Sequence, residues 1–180
     1  LHELDKELER QGLKFVRYAD DFSIYVKSKS EAKRIGNKVY LYLRDKLKLA
    51  INRAKSGIRR PIHFEILGFR FASTYTKGDK GKYQLTVGDK AWERLRRSLK
   101  SITRKTSPKS FAERITKINE IQLGWLNYFR GASIYSKLKT MDGWLRNRLR
   151  YCLWHDWKKP ERKRKNLIRL GVNPGDAYAW

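Results

Sequence analysis

The sequence predicts an α+β protein in which short antiparallel strands and helices come first and a helical bundle follows. Three observations carry that reading. Apolar residues alternate in short runs before residue 88, and after it they recur at steps of three and four. A chain of 180 residues is long enough for one domain or two small ones with a sizeable core.

Leu1 to Arg10 reads as a helix end, with Leu4 and Leu8 four residues apart, and Gln11-Gly12 stops it. Lys14 to Tyr18 and Phe22 to Lys27 are two strand-like runs flanking Ala19-Asp20-Asp21, which predicts a hairpin whose tip carries two carboxylates. In the second run Phe22, Ile24 and Val26 form the face to be buried. Ser28 and Glu31 have capping-box spacing and announce a helix carrying Ala32, Ile35, Val39, Leu43 and Leu47. A strand at Leu49-Ala50-Ile51, a polar turn from Asn52 to Gly57 and a strand from His63 to Phe71 are expected next. Lys77 to Lys82 suits an exposed turn, with Lys82 to Val87 as the returning strand. Helices alone follow. Trp92, Leu95, Leu99 and Ile102 mark the first. A capping box at Ser110 and Glu113 opens the second, and the third runs from near Met141 to Lys158 with Leu145, Leu149 and Leu153 on its stripe. The expected domains are 1–88, a three-helix bundle at 89–160, and a basic segment at 161–180 that leads into a linker at Gly171 to Gly175.

Charge narrows the partner. The chain holds 43 Lys and Arg against 18 Asp and Glu, a net +25. Residues 1–89 carry +9 of this and residues 90–180 carry +16. So much like charge repels itself and calls for a polyanion, nucleic acid first and an anionic membrane surface second. There is no apolar run of transmembrane length and no signal-peptide pattern at the start. Cys152 is the lone cysteine, which excludes an intrachain disulfide, and three scattered histidines make no zinc set. A reducing, cytoplasmic setting fits these counts. The chain opens at Leu1 and its one methionine is Met141, so an excised or processed piece of a longer polypeptide is expected.

Asp20 and Asp21 are the candidate chemical centre. Hard carboxylate oxygens on a rigid loop suit Mg²⁺, and polymerases use two such ions to activate a 3′-hydroxyl and to neutralise the leaving pyrophosphate. The dipeptide alone is better read as a plain turn, because Asp is common there.

The surroundings favour chemistry. Phe15-Val16-Arg17-Tyr18-Ala19-Asp20-Asp21-Phe22 resembles the YADD active-site motif of reverse transcriptases. Leu49 to Ser56 and Phe64 to Phe71 resemble the two palm blocks that follow it, in order and spacing. Trp92 with Arg94-Leu95-Arg96, then Asn119 and Gly124-Trp125-Leu126-Asn127-Tyr128-Phe129, then Asp142-Gly143-Trp144 through Arg150, resemble the maturase-specific domain, or thumb, of group II intron reverse transcriptases. Retron and diversity-generating reverse transcriptases share YADD but generally lack this thumb signature. The resemblance implies a partial palm at 1–88 and a thumb at 89–160, belonging to an RNA-directed DNA polymerase that copies intron RNA and assists its splicing. Its partners would be group II intron RNA and a DNA primer or target, with Mg²⁺ as cofactor, no membrane, and a homodimer permitted.

Residue by residue, the resemblance makes Asp20 the principal metal ligand and Asp21 its support. It places Tyr18 and Ala19 beside the nucleotide or primer and Lys55 near phosphate. It sets Gly68 against the primer backbone, with a strand bulge an equal alternative for that glycine. A further metal-binding Asp is implied, and neither Asp5 nor Asp45 suits the role, so this piece alone is expected not to polymerise. In the thumb, Arg94, Arg96, Arg97, Arg146, Arg148 and Arg150 are the RNA-binding candidates. Arg146, Arg148 and Arg150 alternate with Leu145 and Leu149, so they are expected to face outward. The aromatics Trp125, Tyr128, Phe129, Trp144, Trp154 and Trp157 are better read as core than as base-stacking surfaces. The alternative function is an RNA-binding module that acts in splicing without catalysis. A membrane-surface protein is the weakest reading.

Overall fold

The computed structural model describes residues 1–74 and 83–179, and the expected turn at Lys77 to Lys82 lies outside them. The architecture is α+β, with two small antiparallel sheets and seven α-helices among the described residues. The chain divides into two compact units, Leu1–Arg60 and Pro61–Trp180. The change from strands to helices near residue 88 is therefore not where the compact units part.

In the first unit, helix α1 (His2–Arg10) precedes strands β1 (Lys14–Tyr18) and β2 (Asp21–Tyr25), which pair antiparallel with Phe15 opposite Ile24 and Tyr18 opposite Asp21. Helix α2 (Lys29–Leu41) starts at Ser28, whose hydroxyl accepts from the Glu31 amide at 3.1 Å. It runs on into a π-helical turn, Tyr42–Lys46, that ends where Lys48 turns left-handed at φ 53°. Leu4, Leu8 and Leu43 form the buried centre, and Phe15, Phe22, Ile24 and Val39 pack around them. No strand forms at Leu49 to Ile51. The polar turn after it is built by Asn52, whose side chain accepts from the amides of Ala54 and Lys55.

In the second unit the expected strand from His63 to Phe71 is broken in two. Leu67 and Gly68 both take positive φ, 53° and 81°, as a type I′ hairpin turn requires, and they separate β3 (Glu65–Ile66) from β4 (Phe69–Ser73). Strand β5 (Tyr83–Val87) pairs with β4, with Phe69 opposite Val87. Helices α3 (Asp89–Ile102) and α4 (Phe111–Phe129) follow, the latter opened by a complete Ser110–Glu113 capping box. Helix α5 (Tyr135–Asp156) begins six residues before the expected start. The segment read as a basic linker is helical. Helix α6 (Pro160–Arg169) has Pro at its first turn, and α7 (Pro174–Tyr178) is capped by Asn173 and buries Ala177. Val87, Trp92, Leu95, Leu99, Ile118, Phe129 and Leu145 form one core that joins the sheet to α3, α4 and α5. Of the aromatics expected in the core, Phe129, Trp125 and Trp144 pack in or against it. Trp92, Trp125 and Phe129 stack in series at 4.5 and 4.7 Å, and Tyr128 donates its hydroxyl to the Leu67 carbonyl at 3.1 Å.

Candidate functional sites: the paired aspartates and the basic helical surface

The hairpin of the first unit presents Asp20 in a two-residue turn and Asp21 as the first residue of β2. Both are exposed. Ala19 holds φ 52°, a left-handed conformation that costs a non-glycine residue about 1–2 kcal/mol. A brace accompanies it. Arg17 donates from one terminal nitrogen to the Ala19 carbonyl at 3.0 Å, and from its Nε to Asp5 on α1 at 2.7 Å. Strand pleating puts Arg17 on the same face as Phe15, Phe22 and Ile24, toward α1. Val16, Tyr18 and Asp21 take the opposite, open face, where Tyr18 is 63% exposed directly beside Asp21.

Asp5 is thus committed to Arg17, which holds its carboxyl below the ordinary carboxylate range, and Asp45 is likewise paired with Arg44. Among the described residues no three His, Cys, Asp or Glu side chains converge as a metal-binding set. Two adjacent hard-oxygen donors still fit Mg²⁺, which keeps waters and substrate oxygens in much of its coordination shell. Lys55 is exposed on the Asn52 turn. Gly68 lies in the β3–β4 turn. A Cβ there would stand 3.2 Å from the Phe129 ring and 3.6 Å from Ala91, so packing within the chain already accounts for the glycine.

In the second unit Arg94, Arg96 and Arg97 are exposed on α3, and Arg146 and Arg150 on α5. Arg146 pairs with Asp142 at 2.8 Å, and Arg150 donates to Asn147 at 3.3 Å. Arg148 departs from the outward orientation expected of it. Alternation is a strand's logic. On a helix, Arg148 lies three residues beyond Leu145 and four before Cys152, so it shares their buried face. Its guanidinium donates to the Thr103 hydroxyl at 2.6 Å and the Thr103 carbonyl at 2.8 Å. Both groups belong to the C-terminal end of α3, where a cation also complements the helix dipole. Cys152 adds a thiol contact to the same carbonyl at 3.4 Å.

Arg148 and Arg96 flank the Trp144 ring at 5.4 and 5.1 Å. Together with Glu93, Arg97 and Lys100 these residues line an open groove between α3 and α5. Sequence reasoning also missed Arg114. It is 2% exposed on α4, and its guanidinium donates to the carbonyls of Ser107 and Lys109 at 2.9 Å each. Its position between Phe111 and Ile118, on the apolar stripe of α4, was the available signal.

Exposed cations on a rigid helical scaffold make this unit a polyanion-binding surface. Residues 92–171 match the family model described as group II intron, maturase-specific domain. The match takes in nearly all of α3 and the whole of α4, α5 and α6, and within it 22 Lys and Arg face six Asp and Glu. The chain therefore carries a maturase-type region, and the hairpin bearing Asp20 and Asp21 lies outside the match. No curated protein matches the chain. No helix among the described residues is long and apolar enough to cross a membrane.

Proposed function

We propose that residues 92–171 bind folded group II intron RNA, and that the Asp20–Asp21 hairpin contributes carboxylates to the polymerase centre of an RNA-directed DNA polymerase. The observation that carries this reading is the coincidence of the maturase match with the most basic, helical part of the chain. Arg94, Arg97, Arg146 and Arg150 contact phosphates from the solvent face. Arg148 and Arg114 hold the helices that display them.

At the hairpin, Asp20 and Asp21 orient oxygen ligands on a braced turn, and Tyr18 offers a ring beside Asp21 for the sugar or base of the bound strand. Mg²⁺ held there would supply charge neutralisation at the reacting phosphate. Asp20 and Asp21 alone make a sparse ligand set for two ions, so the 180-residue chain is expected not to polymerise by itself. Supporting this half of the reading are the strained, braced turn and the order of the palm-like blocks around it.

The test of the RNA interface replaces Arg146 and Arg150 together by Ala. Affinity for a folded group II intron transcript should fall, and the slope of log K against log salt should decrease by about one per lost phosphate contact. An unchanged slope would remove α5 from the interface. A second reading, splicing support without polymerisation, is favoured by a match confined to residues 92–171. It predicts that Asp20 can be replaced with no loss of splicing.

A further inference from the structure

Gly143 sits in the middle of α5, exposed, and a Cβ added there would meet no heavy atom within 4 Å beyond its own helical turn. Glycine inside a helix is destabilising relative to alanine, because it surrenders more backbone freedom on folding. A Cβ added at Gly36, the glycine inside α2, would by contrast meet Ile58 at 3.8 Å. Gly143 has no such contact among the described residues, so the space left by the missing Cβ is open to an object outside the chain.

The neighbours specify that object's charge. Lys139, Arg146 and Arg150 stand four residues before Gly143 and three and seven after it, all exposed and all on its stripe of the helix. The stripe spans roughly 16 Å. We propose that an RNA sugar–phosphate backbone lies directly across α5 at Gly143, with phosphates seated by Lys139 on one side and by Arg146 and Arg150 on the other. Arg146 exchanges its Asp142 partner for a phosphate when the strand arrives. The flat patch of bare backbone lets the strand approach closely enough for both flanks to engage at once. This inference rests on the RNA-binding reading above and assigns that surface its point of closest approach.

Gly124, in the middle of α4, supplies a control. A Cβ there also meets nothing within 4 Å, but its face carries exposed Tyr128 and a Lys117 already paired with Glu120 at 2.7 Å. That face is mixed and partly apolar, and it is no anion seat.

The experiment compares Gly143→Ala, Gly124→Ala and the Arg146→Ala/Arg150→Ala pair in the 180-residue chain. Thermal melting and anisotropy binding to a folded group II intron transcript are read at several salt concentrations. Both glycine variants should melt about 2–4 °C higher, since each removes a helix-interior glycine. Gly143→Ala should nevertheless bind about fivefold or more weakly, while Gly124→Ala stays within about twofold of the parent. A Gly143→Ala chain that keeps parental affinity while the double arginine variant loses it overturns this inference alone. Equal losses in both glycine variants, or a lowered melting point for Gly143→Ala, overturn it as well. If the double arginine variant also binds normally, the RNA-binding reading of α5 falls with it. Binding to phosphatidylglycerol vesicles that is as tight as RNA binding, and as sensitive to Gly143→Ala, would assign the seat to lipid headgroups and reject the proposal.

Discussion

The two compact units use their arginines in opposite ways. In Leu1–Arg60 the structural arginine works at the surface. Arg17 links Asp5 on α1 to the Ala19 carbonyl and so braces a two-residue turn that no core residue supports. In Pro61–Trp180 the structural arginines turn inward. Arg148 and Arg114 hold backbone carbonyls from Thr103 to Lys109, at the end of α3 and in the connection to α4. Net charge is therefore a poor measure of how many cations reach a polyanion. In the basic unit, part of the surplus is internal framework. In the hairpin, by contrast, Arg17 forms its ion pair with Asp5, and the nearby Asp20 acts on it through charge alone.

The sharpest way to break this contrast is at the turn itself. Asp20→Asn, introduced into a form of the protein that extends primers, should abolish extension while leaving RNA affinity within about twofold, since the charge lies outside the basic unit. Extension that persists would place the chemistry elsewhere. A parallel fall in RNA affinity would show that the two units do not divide the work as their side chains suggest.

A smaller effect tests the inward arginine. Arg148→Ala leaves the Thr103 carbonyl and hydroxyl without their donor, and a hydrogen bond to a charged group contributes about 1.5–3 kcal/mol. The urea midpoint should fall accordingly. Arg148→Lys should recover little of it, because a single ammonium cannot span the hydroxyl and the carbonyl as the guanidinium fork does. If Arg148→Ala keeps its midpoint and loses RNA binding instead, Arg148 belongs with Arg146 and Arg150 on the solvent side.

Much of this was legible beforehand, and the misses have physical causes. Helix α3 could be read from its apolar spacing alone, and α4 from spacing that agrees with the reciprocal Ser110–Glu113 box. The hairpin at Asp20 was legible from two β-rich runs about a short turn. The turn at Leu67 was not, because Leu is an unusual residue at positive φ and the run around it alternates like one strand. Arg148 was misplaced by applying period two to a helix. Reading Gly171 to Gly175 as the start of a linker missed α7, because Asn173-Pro174 is a helix start as well as a loop signal. The brace at Arg17 was hidden, since its partner lies twelve residues away and only the pleat brings the two together.

The smallest effect tests that brace by pH. Arg17 lowers the folded-state pKa of Asp5, chiefly through their hydrogen bonds and then through charge attraction. A depressed carboxyl contributes stability that is fully present above its ordinary value of 3.8 and is lost as pH falls through the lower, folded value. The Arg17 Nε–H resonance should therefore hold its native position at pH 3.8 and move only under stronger acid. Glu7, brought down to about 2 by Arg10 and Gln11, titrates in the same acid region, so Asp5→Asn is needed to isolate the brace. In that variant the Arg17 Nε–H and Ala19 amide resonances should already be displaced at neutral pH, and the acid step at Arg17 should be missing. If instead Asp5→Asn reproduces the parental spectrum, the Asp5 link does not hold the turn, and the left-handed Ala19 must be maintained by the strand pairing of Tyr18 with Asp21 alone.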